Sequence, residues 1–168
     1  MFELKSLQIE DCEIISNAFR HIGWNKPVEL FQQYHKEQSQ GLRRCFVAFL
    51  NNDFTGYCTI LHQSKYENFV IPNIVEISDL NVLPIFRKKG LGTALINECE
   101  KTAKQKLNAG SIGLGVGLTT HYSDALSFYL KLGYCFDKKG IAYSGKTLEY
   151  NSKTIVDDEL NLYLTKKL

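Results

Sequence analysis

Hydrophobic positions recur along this chain with two different periods, and the changes of period mark the predicted elements. Apolar residues near every second position indicate strands over residues 2–9, 74–82, 111–119, 134–138 and 159–168, and two more within 43–64. Spacings of three and four indicate helices over residues 12–22, 28–40, 90–107 and 123–132. The order β-α-α-β-β-β-α-β-α-β-β predicts a mixed sheet with helices packed on it, in the α/β or α+β class.

The connections carry ordinary turn signals. Asn51-Asn52-Asp53 separates two strand-like runs, which is a hairpin signal. Residues 65–73 are predicted as a loop, and residues 140–158 as a polar loop or a loose hairpin. We find no internal repeat, linker or low-complexity tract. The sequence therefore predicts one domain over residues 1–168.

Composition narrows the function classes. A net charge of +2 is too small to indicate a general affinity for nucleic acid or membranes. The five cysteines are scattered without a C-x-x-C pair, and the four histidines show no metal-ligand spacing, so we expect reduced thiols and no metal site. The N-terminus does not have the pattern of a signal peptide, and no run is long enough to span a membrane. We expect a cytoplasmic protein.

A cationic, glycine-containing stretch lies between a predicted strand and a predicted helix. It reads RKKGLGTA, from Arg87 to Ala94. The first turn of a helix has backbone N–H groups without partners, and glycine lets an anion approach them closely. The alternative interpretation is a helix start that merely tolerates glycine. The adjacent cations and the preceding strand favour an anion site.

Spacing excludes the two common nucleotide-binding motifs. A P-loop needs a Lys-Ser/Thr pair after its second glycine, which is not present here. A Rossmann fingerprint needs a third glycine, and Leu95 stands at that position. The pattern that fits is R-x-x-G-x-G, formed by Arg87, Gly90 and Gly92.

With its flanks, the stretch LNVLPIFRKKGLGTALI closely resembles the acyl-CoA-binding motif of the GNAT (Gcn5-related N-acetyltransferase) superfamily. A second block, ALSFYLKLGY from Ala125 to Tyr134, resembles that family's helix ending in a tyrosine and a Leu-Gly-aromatic close. The order and spacing of elements match over nearly the whole chain. The resemblance implies a GNAT fold, with a mixed, mostly antiparallel central sheet and helices on both faces.

The resemblance also implies a role for each matching position. Backbone N–H groups would hold the pyrophosphate of CoA, and the end of the preceding strand would pair with the pantetheine arm. Tyr129 would act as the general acid for the leaving thiolate, although an aromatic on the inner face of a short helix has a plain packing role as well. The implied cofactor-binding residues are Leu80, Asn81, Val82, Arg87, Lys88, Lys89, Gly90, Leu91, Gly92 and Thr93.

Glu76 is the candidate general base. It lies eleven residues before Arg87 on the strand that leads to the glycine loop, and some members of the family use a glutamate at this spacing. Strand alternation puts Glu76 and Ser78 on one face and Asp79 on the other, unless a bulge resets the parity. A carboxylate within an apolar run is costly without a partner or a purpose. The alternatives are a base, acting directly or through water, and a hydrogen-bonded strand residue.

Three glycines share one face of a predicted strand. Gly113, Gly115 and Gly117 alternate with apolar residues in GLGVGL. Because glycine weakens a strand, three glycines on one face indicate that something packs closely against that face. The face could line the space for pantetheine between splayed strands, or it could receive a packed helix.

The acceptor pocket is the least specified part of the site. In the resembling family it lies near the loop between the first two helices and the loop before the last strand, which contain Trp24 and Asp157. An aromatic and acidic wall would suit a cationic amine, but Trp24 could equally fix its loop to the core. Tyr122 stands seven residues before Tyr129, where many members carry an asparagine, which puts the contact of that asparagine in doubt.

These observations favour an N-acetyltransferase that moves an acetyl group from acetyl-CoA to a primary amine of a small molecule or peptide by direct attack in a ternary complex. A homodimer is compatible with this reading, whereas nucleic acid and membrane partners are not expected. The rival is a non-catalytic acyl-CoA-binding or regulatory module on the same fold, which would have no need of Glu76 and Tyr129.

Overall fold

The computed structural model describes residues 2–168, which form eight strands and five α-helices. The strands are β1 (Glu3–Ser6), β2 (Arg43–Leu50), β3 (Asp53–Leu61), β4 (Val75–Val82), β5 (Ser111–Gly117), β6 (Cys135–Tyr143), β7 (Lys146–Thr147) and β8 (Leu160–Lys167). The helices are α1 (Asp11–His21), α2 (Val28–Ser39), α3 (Glu67–Val70), α4 (Leu91–Lys106) and α5 (Ser123–Lys131). Short 3-10 turns cover Pro84–Phe86 and Thr120–Tyr122.

The chain divides into two compact units. The first contains the residues up to His62 together with Ser78–Lys101, and the second contains Gln63–Ile77 together with Thr102–Leu168. β4 and α4 each contribute residues to both units.

The first unit orders its strands β1-β2-β3-β4. β2 pairs antiparallel with β1 and with β3, and alternate residues of β2 such as Cys45, Val47 and Phe49 contribute to one core. Helices α1 and α2 cover this face with Ile15, Phe19 and Phe31, among others.

Helices pack on both faces of the sheet in this unit. Tyr57 of β3 belongs to the core shared with α1 and α2, whereas the next residue, Cys58, places its Sγ 3.4 Å from Cys99 Sγ of α4. Since successive strand residues point to opposite faces, α4 lies on the face opposite to α1 and α2.

The second unit orders its strands β4-β5-β8-β6-β7. β5 pairs parallel with β4, matching Val75–Ile77 to Ile112–Leu114, and the pairings of β8 with β5 and of β6 with β8 and β7 are antiparallel. This mixed, mostly antiparallel arrangement confirms the predicted fold class.

Aromatic rings fill the glycine face of β5. A Cβ at Gly113 would lie 2.4 Å from the Phe69 ring, and Tyr163 and Tyr122 occupy the corresponding space at Gly115 and Gly117. Phe69 belongs to α3, so at Gly113 the face receives a packed helix, one of the two predicted alternatives. The three glycines thus make room for aromatic packing in the second unit.

Most predicted elements are present, with two additions. The Asn51-Asn52 hairpin turn forms with φ of 52° and 70°, the left-handed values that a tight hairpin turn requires. The predicted loop over 65–73 contains α3, and β6 extends to Tyr143 before the two-residue β7. Hydrogen bonds connect α3 to the β6–β7 hairpin. Thr147 N–H donates to Glu67 Oε1, and Glu67 N–H donates to Gly145 O.

None of the helices in the described part of the chain combines the length and apolar content needed to cross a bilayer. Within residues 2–168, no three His, Cys, Asp or Glu side chains come together as a potential metal site.

Candidate active site

The glycine loop, residues 87–92, leads into α4 and contains two residues in left-handed conformations. Lys88 has φ 59° and Gly90 has φ 82°, and the chain enters α4 at Leu91. Left-handed backbone is easily adopted by glycine and carries a cost for lysine. The buried side chain of Leu91 fixes the helix start, while Lys88, Lys89 and Gly90 are exposed.

Backbone N–H groups of this loop precede the helical ladder. The first hydrogen bond of the α4 ladder runs from Ala94 N–H to Gly90 O, so the N–H groups of Leu91, Gly92 and Thr93 lie before it. Arg87 N–H donates to Pro84 O at 3.2 Å, which removes it from the set that the resemblance implied for phosphate binding. The groups suited to an anion therefore begin at Lys88.

Arg87 reaches back to the core. Its Nε donates to Val82 O at 3.0 Å, and its Cζ lies 5.5 Å from the centre of the Trp24 ring. Trp24 also stacks on Phe19, with ring centres 5.8 Å apart and planes 13° from parallel. The structure therefore brings two predicted site residues, Trp24 and Arg87, into contact, and it confirms that Trp24 packs on the core.

A carboxylate-centred network, which we call the Asp79 network, joins the α1–α2 loop to strands β3 and β4. Asp79 Oδ2 accepts hydrogen bonds from Tyr57 OH at 2.5 Å, from Lys26 Nζ at 3.1 Å and from Tyr34 OH at 3.1 Å. Asp79 Oδ1 accepts from Asn81 Nδ2 at 2.6 Å. Side chains from four elements thus share one carboxylate.

The network changes the titration of its tyrosines. Burial raises the pKa of Tyr57 well above its ordinary value, and the negative charge of Asp79 raises it further. The pKa of Tyr34 is raised by the same two causes in the same order. Both hydroxyls therefore remain protonated donors to Asp79 at any physiological pH.

Glu76 lies in the second unit with a specific partner. Its side chain is buried, with 8% of the residue exposed, and Ser64 Oγ donates to Glu76 Oε2 at 2.5 Å. Ser64 Oγ itself accepts from Tyr66 N–H at 2.9 Å, which orients the hydroxyl. Burial and then the charge of Glu76 raise the pKa of Tyr163. Glu76 is a buried, oriented carboxylate, which suits a proton acceptor.

Tyr129 lies on the inner face of α5. It is 9% exposed, and its ring packs edge-on against Tyr134 with centres 5.9 Å apart. Tyr134 N–H donates to Tyr129 O where the helix ends. The helix therefore presents a largely buried phenol in the packing position that the sequence predicted, and the general-acid role stays a prediction.

Tyr122 and Asp157, two residues predicted to contact the acceptor, each have a hydrogen-bond partner of their own. Tyr122 OH donates to Asp158 Oδ1 at 3.1 Å, and Tyr143 OH donates to Asp157 Oδ2 at 3.1 Å. Asp157 Oδ1 also accepts from Glu159 N–H. These contacts stabilise the chain before β8, so both residues have structural roles of their own.

Sequence reasoning missed three residues around the candidate site. Lys26 and Tyr34 contact a strand residue that is 53 and 45 positions away, and Ser64 lies in an irregular segment. Nothing in the local pattern of the chain marks any of them. Asp79 carried a signal, since it is a carboxylate in a strand-like run that requires a partner.

Comparisons with known proteins find N-acetyltransferases among the relatives of this chain. A 114-residue stretch is 32% identical to an N-alpha-acetyltransferase of Sulfolobus acidocaldarius, covering 66% of this chain and 65% of that protein. The match therefore spans just under two thirds of that relative. An N-alpha-acetyltransferase of Saccharolobus solfataricus is 27% identical over 138 residues, with 79% of this chain and 80% of that protein covered.

Solved structures show the same fold. The PaiA N-acetyltransferase of Thermoplasma acidophilum, solved in complex with coenzyme A, superimposes with a TM-score of 0.66 at 20% identity, over 100% of this chain and 99% of that one. The model of the acetyltransferase (GNAT) family matches residues 10–134, which include the glycine loop, Glu76 and Tyr129. The chain therefore belongs to the acetyltransferase (GNAT) family.

Proposed function

We propose that residues 1–168 act as one N-acetyltransferase domain that moves an acetyl group from acetyl-CoA to a primary amine. The observation that carries the proposal is the buried carboxylate of Glu76. Glu76 lies on β4, the strand that leads to the glycine loop, and the Ser64 hydroxyl orients its carboxylate. Family membership and the N-alpha-acetyltransferase relatives support an acyltransferase, and their names favour an amine at a peptide N-terminus.

The glycine loop fits the phosphates of CoA. The backbone from Lys88 to Thr93 contains two left-handed residues and leads into the first turn of α4, the positive end of the helix dipole. Backbone of Leu80, Asn81 and Val82 is proposed to pair with the pantetheine arm, as in the family. Acetyl-CoA would supply the acetyl group as a thioester, whose carbonyl carbon is open to attack by an amine.

Glu76 and Tyr129 are proposed to move the protons. Glu76 takes a proton from the acceptor amine, directly or through one water, as the new C–N bond forms. The C–S bond breaks, and the Tyr129 hydroxyl protonates the departing thiolate. A non-catalytic CoA-binding module would gain nothing from keeping a carboxylate buried on this strand, because burial of a carboxylate is costly.

A two-stage experiment tests the function. The melting temperature is measured with acetyl-CoA, CoA and ATP, and CoA release is then followed across N-terminal peptides, amino acids, aminoglycosides and polyamines. We expect stabilisation by both CoA forms but not by ATP, and turnover on at least one amine. The absence of stabilisation by CoA would contradict the proposal. Binding of CoA without turnover on any of the amines would favour the non-catalytic module.

Tyr129→Phe is expected to lower kcat by about 100-fold while the Kd for CoA changes less than about twofold, because only the transferable proton is lost. Stopped-flow or steady-state CoA release measures kcat, and calorimetry measures Kd. Tyr134→Phe removes a hydroxyl from the neighbouring ring and is expected to leave kcat within about twofold of the unmodified protein. A collapse of CoA binding in Tyr129→Phe would show that Tyr129 is structural.

The glycine loop is expected to be more sensitive to backbone shape than to charge. Gly90→Val should raise the Kd for CoA by at least about tenfold, because a β-branched residue at φ 82° distorts the loop. Lys88→Gln should raise it by about threefold or less, because the exposed charge is screened. Calorimetric titration compares the two variants. A larger effect in Lys88→Gln would mean that side-chain charge dominates.

A further inference from the structure

A cavity of about 350 Å³ opens where α1 ends and the chain turns into α2. Its lining includes Ser16, Arg20, Trp24, Asn25 and Lys26, all from α1 or the loop that follows it. Ser16 Oγ donates to Lys26 O at 2.9 Å, which fixes the loop on the helix. The hydrogen bond therefore fixes the wall of the cavity, which lies within the first unit and includes the Trp24 indole.

The charges around this cavity are positive. Arg20 and Lys26 are the charged residues of its lining. Lys26 is balanced by Asp79 at 3.1 Å, whereas the exposed Arg20 side chain has no hydrogen-bond or ion-pair partner within residues 2–168. Arg87 adds a third cation, 5.5 Å from the Trp24 ring centre. The cavity lining thus carries two cations, Arg87 lies against the Trp24 ring, and Asp79 balances Lys26.

This arrangement disfavours the cationic acceptor expected from the sequence. The Trp24 ring already stacks on Phe19 and contacts the Arg87 guanidinium, so its π-system has a cation. Asp157, the acidic residue predicted for the acceptor pocket, already accepts a hydrogen bond from Tyr143 OH. A second ammonium group beside Arg20 and Lys26 would meet like charges.

We propose that this cavity binds a carboxylate of the acceptor, with Arg20 as the principal contact. The guanidinium can form two parallel hydrogen bonds with a carboxylate, and the neighbouring Asn25 side chain offers an amide donor. The acceptor class is an amine with a carboxylate close by, either a peptide N-terminus followed by an acidic residue or a free acidic amino acid. The inference rests on the proposed acetyltransferase function and specifies its substrate.

Matched peptides test the charge preference. Three peptides of one sequence carry glutamate, glutamine or lysine at the second position, and free glutamate is a fourth acceptor. We expect kcat/KM for the glutamate peptide to exceed that for glutamine by about tenfold, the size of a charge-assisted hydrogen bond, with lysine lowest. The advantage should shrink as salt rises. The free amino acid distinguishes the two sources of the carboxylate.

Arg20 variants assign the preference to the cavity. Arg20→Ala should bring the glutamate and glutamine peptides within about twofold, and Arg20→Glu should favour the lysine peptide. Lys36→Glu is the matched control, because Lys36 is also an exposed cation in the last turn of a helix, yet lies outside the cavity lining. Equal kcat/KM for all three peptides, or an unchanged preference in Arg20→Glu, would overturn the proposal.

Trp24 provides a readout that needs no turnover. It is the only tryptophan of the chain, so intrinsic fluorescence reports directly on the cavity wall. Without acetyl-CoA, the glutamate peptide should give a saturable change at lower concentration than the glutamine peptide, and Arg20→Ala should remove the difference. Titrations that coincide for both peptides would overturn the inference.

The two readouts separate this inference from the function on which it rests. Turnover that does not depend on the charge of the peptide's second residue would support the acetyltransferase function and contradict the carboxylate subsite. A Trp24 fluorescence change that favours the glutamate peptide, without turnover on any amine, would support the carboxylate subsite and contradict the acetyltransferase function.

Discussion

Replacing Glu76 by glutamine is expected to lower kcat by about 10²- to 10⁴-fold, the range that general-base catalysis contributes. Glutamine has nearly the same shape and keeps an oxygen that can accept the Ser64 Oγ hydrogen bond, so the fold should survive. The substitution removes the ability to take a proton from the amine. Steady-state CoA release measures kcat, and the low-pH limb of the pH–rate profile should disappear with the carboxylate.

Glu3→Gln is the matched control, because it makes the same chemical change on an exposed strand residue. It should leave kcat within about twofold. Activity of Glu76→Gln equal to that of this control would exclude Glu76 as the base and leave it as a hydrogen-bonded strand residue. Ser64→Ala separates orientation from chemistry, since it should lower kcat less than Glu76→Gln while keeping the pH limb.

Asp79→Ala is expected to lower the free energy of unfolding by about 3 kcal/mol, because the Asp79 network loses its common acceptor. Lys26 would keep a partly buried positive charge without its counter-ion, and Tyr34 and Tyr57 would lose the oxygen to which they donate. Urea unfolding followed by circular dichroism gives the free energy and its denaturant slope.

Glu149→Ala serves as the control for Asp79→Ala, since Glu149 is an exposed carboxylate in the segment after β7. We expect it to change the free energy of unfolding by less than about 0.5 kcal/mol. A similarly small change in Asp79→Ala would mean that water replaces the carboxylate and that the network contributes little to the stability of the fold.

The fold was predictable because its signals are local. The spacing of apolar residues marks α4 and β5 without reference to any other part of the chain, and Asn51-Asn52 specifies a tight turn by itself. The glycine loop was equally accessible, since its pattern extends over only six residues, Arg87 to Gly92. α3 was not predicted because a helix of one turn is too short to show a periodic pattern of apolar residues.

The site depends on contacts between distant residues, and these do not appear in a local pattern. Lys26 and Asp79 form their ion pair across 53 positions. The sequence left open whether Trp24 forms a wall with acidic residues or packs on the core, and in the structure its ring stacks on Phe19 and contacts the Arg87 guanidinium. Loop composition indicated which segments could line a pocket. Which charges meet there is decided by long-range contacts such as those of Lys26 with Asp79 and of Arg87 with Trp24.

The cysteines have a practical consequence for the activity measurements. Cys12, Cys45, Cys58 and Cys99 are buried, whereas Cys135 is exposed at the start of β6. A colorimetric thiol reagent used to follow CoA release will therefore also react with the protein, at one equivalent per folded chain and five once the chain unfolds. The same stoichiometry converts the reagent into a counter of unfolded molecules, independent of catalysis. A Cys135→Ser background would leave folded protein silent and make the released CoA the sole source of colour.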